Sequence, residues 1–179
     1  MRELDMNAIE LSVDADQYLT FMLSGEEFAA PIMQVKEIIE FHGLTKVPMV
    51  PDFIAGAINL RGNVIPVIKL ATKLGMTASE TTRRTSVVIM DVQMDDEATV
   101  IGVLVDKVLD VIDILDEDIN SAPSLGTHIR TDFIRGMGKL GDDFIIILAV
   151  DKVLSTDEIA VVASLEGEGS VSTNSGVDE

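Results

Sequence analysis

The chain contains no Cys and no Trp, a single Tyr and two His in 179 residues. Without Cys there are no disulfides, no thiolate nucleophile and no Cys-based zinc site. Two unrelated His leave little for a metal centre. Basic residues are scarce, 13 Lys+Arg against 31 Asp+Glu, for a net charge of −18. Such a chain repels a phosphate backbone, and no basic stripe offsets this, so nucleic acid is excluded as a partner. Anionic membrane surfaces repel it for the same reason, and no direct membrane contact is expected. The longest unbroken apolar run is Phe144 to Val150, far short of the roughly 20 residues that span a bilayer. Met1 to Asp16 holds no apolar stretch of signal-peptide type. A soluble, cytoplasmic protein is the expectation.

Hydrophobic residues make up 47% of the sequence, enough for a real core. The charge is concentrated at the ends. Residues 156–179 carry no Lys or Arg and six acids, and residues 1–16 carry one Arg and five acids. Residues 1–16 therefore read as an acidic flexible tail and 170–179 as a disordered acidic tail. Between them, short β-prone runs alternate with turn signals. Gln17 to Leu23 and Phe28 to Ala30 flank Ser24-Gly25-Glu26-Glu27. Ala55 to Arg61 and Val64 to Leu70 flank Gly62-Asn63, the signal of a type II′ hairpin. Ser86 to Val92 and Ala98 to Val105 flank a third turn at Gln93 to Glu97, and Phe144 to Val150 reads as one more strand. Two helices are expected. One is short and starts at Pro31, with Ile32, Val35 and Ile39 three and four apart. The other spans 156–169 behind the capping box Ser155-x-x-Glu158.

Many short strands with close turns predict small barrels. A repeat sharpens this. Asp52-Phe53-Ile54-Ala55-Gly56 recurs as Asp132-Phe133-Ile134-Arg135-Gly136, and the offset of 80 runs without gaps from 52 to 74, with 7 identities in 23 positions. Upstream, Val35 to Glu40 resembles Val108 to Asp113 at an offset of 73. Two similar units follow, expected at 17–82 and 83–155.

Most candidate sites fail on context. Gly136-x-Gly138-x-x-Gly141 matches the dinucleotide pattern, but two Asp and a strand follow where a helix N-terminus must stand. The acids from Asp106 to Asp118 lack the spacing of a calcium loop. His42 and His128 sit in no nucleophile motif. No acid, base and oxyanion hole assemble, so no catalytic residue, cofactor or metal is assigned and a small-barrel hydrolase is disfavoured. Arg61 is different. It is a rare base at a hairpin tip, in Asn59-Leu60-Arg61-Gly62, with Glu37 as its natural carboxylate partner.

These residues resemble the CheW family, the coupling proteins of bacterial chemotaxis. The likeness rests on Gln17-Tyr18-Leu19-Thr20-Phe21, on Val35-Lys36-Glu37-Ile38 and above all on Pro51 to Val67, with its Asn-Leu-Arg-Gly hairpin. Gly102 to Val108, Ile119 to Pro123 and Gly136 to Asp142 extend it. The resemblance implies two SH3-like five-stranded β-barrels related by duplication, all-β but for short helices. It implies a non-enzymatic adaptor that joins chemoreceptor cytoplasmic tips to the regulatory domain of the histidine kinase CheA. Assembly into arrays or rings at receptor clusters beneath the inner membrane would follow, from a chain that is monomeric in isolation. A related adaptor of another chemosensory pathway, such as one for twitching motility, is the alternative. Under this resemblance Val35, Ile38, Leu104 and Val105 would line the receptor groove, with Glu37 and Arg61 at its rim. Ile39, Gly56, Ala57, Val108 and Val111 would face the kinase, while Asn59, Leu60 and Gly62 would hold the hairpin.

Overall fold

The computed structural model describes residues 15–94, 97–121 and 133–153. Eleven strands run in chain order through these residues: β1 (Ala15–Leu23), β2 (Glu26–Pro31), β3 (Val35–Glu40), β4 (Ile54–Leu60), β5 (Asn63–Lys69), β6 (Ser86–Met94), β7 (Glu97–Val105), β8 (Lys107–Leu115), β9 (Ile119–Asn120), β10 (Ile134–Leu140) and β11 (Asp143–Leu148). Among the described residues helix is confined to short turns, including Leu70–Lys73 and Ile32–Gln34. The mainly β class is as expected. The helix at 156–169, the tail at 170–179 and His128 lie outside the described residues.

Two local expectations are corrected. The apolar spacing after Pro31 gives only a three-residue 3-10 turn, and Val35–Glu40 is a strand paired with β6. β-branched Val and Ile favour the pleated surface, and the exposed side of β6 offers a full ladder of backbone partners. The hairpin turn is also different. Leu60 pairs with Asn63, so Arg61 and Gly62 are its central residues, both at positive φ (51° and 87°). Positive φ at both places is the type I′ pattern, not the II′ form expected at Gly62-Asn63, because the pairing of Leu60 with Asn63 makes Arg61 rather than Gly62 the first central residue.

The strands form a six-stranded sheet, β8-β1-β2-β11-β10-β9, and a five-stranded sheet, β3-β6-β7-β5-β4. Each has one parallel pair, β2 with β11 and β7 with β5. The offsets of 73 and 80 make β3 equivalent to β8, β4 to β10 and β5 to β11. Pairing then makes β1 equivalent to β6 and β2 to β7. With these equivalences the two strand orders are the same, apart from the added β9. Register repeats too: Ile54 faces Ile68 and Gly56 faces Val67, with one residue bulged between, just as Ile134 faces Leu148 and Gly136 faces Ile147. The duplication is therefore legible in three dimensions.

The sheets do not divide at residue 82. β1 and β2 leave the first half and complete a sheet with β8 to β11. β6 and β7 cross over and complete the sheet of β3 to β5. Each half lends two strands to the other. This exchange explains the long apolar runs of β1, β2, β6 and β7, which are buried on both faces. Leu19, Phe21 and Leu23 face a core shared with Val88, Met90, Val92, Ile101 and Val103, while Tyr18 turns into a smaller cluster with Ala29, Ile114, Ile145 and Ile147. On the other sheet Val87 and Ile89 turn into a cluster with Ile65 and Val67. Period-two alternation thus feeds three cores rather than one core and solvent.

Candidate functional site

The Arg61 guanidinium donates to both carboxylate oxygens of Glu37, with Nη1 2.9 Å from Oε2 and Nη2 2.8 Å from Oε1. This bidentate fork ties the tip of the β4–β5 hairpin to β3, at the other edge of the same sheet. The hydrogen bonds from Arg61 hold the Glu37 carboxyl below its ordinary value, and those to Glu37 raise the guanidinium. Arg61 stands largely in solvent, so the pair orients groups more than it stabilises the fold. Asn59 shapes the turn from within, its Oδ1 accepting the Gly62 amide at 3.0 Å. Leu60 is half-buried in the cluster around Val67.

Pairing fixes which expected residues share a face. Val35 lies opposite Met90 and Ile38 opposite Val88, so both sit on the face of β3 that looks towards the shared core. Glu37 and Ile39 lie opposite Ile89 and Val87, on the other face. β8 repeats the arrangement. Val108 lies opposite Phe21 and Val111 opposite Leu19, again on the shared-core face. Val35 and Ile38 are the repeat equivalents of Val108 and Val111. β3 and β8 are each the edge of a sheet, which leaves Ile38 43% and Val111 49% exposed.

The remaining expected residues are placed differently. Val105 is 0% exposed, locked between the sheets with Ile101 and Val103, and presents no surface to a partner. Sequence spacing alone did not distinguish it from Leu104. The strand period sends Leu104 to the opposite face, half-buried against the Val67 cluster and apart from Val35 and Ile38. Gly56 and Ala57 are buried as well. Gly56 contributes by being small, since a Cβ there would lie 2.6 Å from the Thr45 carbonyl oxygen. That close approach carries the two backbone hydrogen bonds between Thr45 and Ala57.

Sequence reasoning missed an open groove of about 450 Å³. The end of β3, the link from Phe41 to Thr45, and β4 from Ala57 to Asn59 surround it, with Val87 also in the lining. Ile39 and Ala57 were expected at a binding face, and both line it. The signal available in the sequence was Phe41-His42-Gly43-Leu44, two apolar residues around a His-Gly pair. Among the described residues, no group of three or more His, Asp or Glu could hold a metal ion, and no helix is long and apolar enough to cross a membrane.

A family model described as the CheW-like domain matches residues 17–158. The chain is 33% identical over 146 residues to the chemotaxis protein CheW of Klebsiella aerogenes, covering 82% of this chain and 86% of that one. The crystal structure of the scaffolding protein TtCheW from Thermoanaerobacter tengcongensis superposes with a TM-score of 0.71 at 31% identity, covering 80% of this chain and 90% of that chain. The protein PilI of Pseudomonas aeruginosa is 30% identical over 88 residues, 49% of this chain and 47% of its own length.

Proposed function

The chain belongs to the CheW-like domain family, and from that premise we propose that it is a non-enzymatic adaptor coupling chemoreceptor cytoplasmic tips to the histidine kinase CheA. One observation carries the reading: the duplicated fold presents the same apolar edge twice, Val35 with Ile38 on β3 and Val108 with Val111 on β8. Two like surfaces on one rigid chain suit a molecule that must hold two partners at once, each weakly, and gain strength in an array. A receptor tip is helical, and a helix laid in a groove is read through apolar anchors spaced along one of its faces. Val35 and Ile38 are assigned to the receptor, with the Glu37–Arg61 pair at the rim on the opposite face of the same edge strand. Leu104 acts only behind this surface, as packing. Val108 and Val111 are assigned to the kinase, with Ile39 and the groove it lines as a second kinase contact. The adaptor would work in the cytoplasm at receptor clusters. The weaker and shorter match to PilI gives no ground for preferring a twitching-motility pathway.

The test is co-sedimentation of the purified chain with receptor-bearing membranes, with and without the kinase, read together with kinase phosphorylation. The wild type should sediment with the membranes and raise phosphorylation only when receptor and kinase are both present. Ile38→Asp should weaken membrane binding by about tenfold or more while keeping the kinase, and Val111→Asp the reverse, as for centrally placed anchors. If both variants bind both partners as the wild type does, these assignments fail. If the wild type ignores receptor and kinase alike, the adaptor reading fails.

A further inference from the structure

The two repeats bring equivalent strand edges together, but only one of the two junctions is filled. In the unit of β8 and β10, Tyr18 and Ile114 are fully buried. Gly138 lets the Ile114 side chain come close, since a Cβ at 138 would sit 3.0 Å from Ile114 Cδ1. In the unit of β3 and β4, Val87 stands where Tyr18 would be, Ile58 where Gly138 would be and Phe41 where Ile114 would be. Val87 is smaller than Tyr18, and position 58 has no glycine to admit Phe41 as Gly138 admits Ile114. Phe41 stays half-buried, and the groove of about 450 Å³ opens between them. That volume falls within the range of ligand clefts. The Thr45–Ala57 bridge holds the groove wall directly, and the Arg61–Glu37 fork ties β3 to the β4–β5 hairpin, the two elements that flank it. An occupant therefore meets a preformed site and bears little ordering cost.

We propose that this groove takes a large apolar side chain, aromatic by preference, presented by a positively charged segment of a partner protein. The apolar preference follows from the lining of Ile39, Phe41, Leu44 and Ile58, and from the aromatic ring that fills the sister junction. The charge preference follows from the −18 net charge, which steers cationic segments towards the chain, and from Glu40 on the rim, whose Oε2 lies 3.5 Å from His42 Nε2. The proposal deepens the kinase contact assigned to Ile39 and rests on the adaptor reading to that extent.

The experiment is a methyl NMR titration of the full chain with an acetylated, amidated Lys-Lys-Phe-Lys-Lys peptide at up to millimolar concentration. Its controls replace the Phe by Ala or the Lys by Glu. The methyl signals of Ile39, Leu44 and Ile58 should shift and saturate with the first peptide, and move at least several-fold less with either control. Val87→Tyr, which copies the sister junction, should abolish the shifts. Should that variant not fold, Phe41→Lys at the mouth serves the same purpose. Equal shifts with the Ala peptide, no shifts at all, or shifts that survive both variants overturn the proposal. Shifts that follow protein concentration alone would mean that a second copy fills the groove, and overturn it too. The co-sedimentation test stands apart: a chain that couples receptor and kinase but ignores the peptide refutes the groove alone.

Discussion

Arg61 occupies a backbone conformation that suits Gly or Asn, at φ 51° in a type I′ turn. An Arg held there against local preference is explained by what its side chain does, which is to grip Glu37 across the sheet edges. Stability and function should therefore separate at this position. Arg61→Gly is expected to raise the thermal unfolding midpoint and to weaken receptor or kinase coupling. Arg61→Asp, which sets like charges together, should weaken coupling by about tenfold or more, as for a charged hot spot. Unchanged pull-down by folded Arg61→Asp would remove the role. The Glu37 carboxyl is held below its ordinary 4.5 by Arg61, so its contribution is present above that pH and disappears as acid protonates the folded protein. An NMR titration should find the Glu37 midpoint moved up towards 4.5 in Arg61→Ala. Tyr18 offers the opposite sign. Burial raises its phenol above the ordinary 10.0, and its hydroxyl finds no hydrogen-bond partner among the described residues. The folded state thus favours the neutral phenol, a stabilisation present below pH 10 and lost as alkali ionises it. As the chain has one Tyr and no Trp, absorbance at alkaline pH reads this residue directly. Its midpoint should fall to the ordinary value when the chain is unfolded in denaturant. Tyr18→Phe should cost less than about 1 kcal/mol in a urea melt, because no satisfied hydrogen bond is lost.

At the scale of the element, the repeated hairpins β4–β5 and β10–β11 show how one local solution is used twice. Gly56 and Gly136 stand at the same bulge, and each lies under a backbone carbonyl, of Thr45 and of Asn120. A Cβ would come within 2.6 Å of the first and 2.8 Å of the second. Alanine at either place should cost about 3 kcal/mol in urea unfolding, from displacing backbone that cannot rotate away. Equal wild-type stability of both variants would show that the loops yield freely. β3 carries the other lesson at this scale. Its apolar spacing satisfied a helical period, yet with a bulge after Val35 the same residues alternate as a strand, Val35 and Ile38 on one face and Glu37 and Ile39 on the other. The partner strand decided between the two, and nothing within residues 31–40 names β6.

At the scale of the whole molecule, the halves expected at 17–82 and 83–155 are repeats of sequence but not of sheets, because each sheet draws strands from both. The shared core between the sheets is likewise built from both halves. Unfolding should therefore be a single cooperative transition by circular dichroism and by Tyr18 fluorescence. Residues 1–82 and 83–179 expressed apart should each fail to fold, and should recover native circular dichroism when refolded together. A half that folds alone, or two resolved unfolding steps, would contradict the exchange.

The order of residues alone was enough to read the mainly β class, the duplication, the hairpin carrying Arg61 and the pairing of Arg61 with Glu37. These are local or periodic facts: alternation, turn chemistry, a fixed offset, and opposite charges on neighbouring segments. Which strand lies beside which emerged from the folded chain alone, and with it the strand exchange, the burial of Val105 one residue from half-buried Leu104, and the groove behind Ile39. A strand's two faces differ by one residue, so which face meets a core depends on the partner it finds far along the chain. That choice is made by the packing of all the strands together.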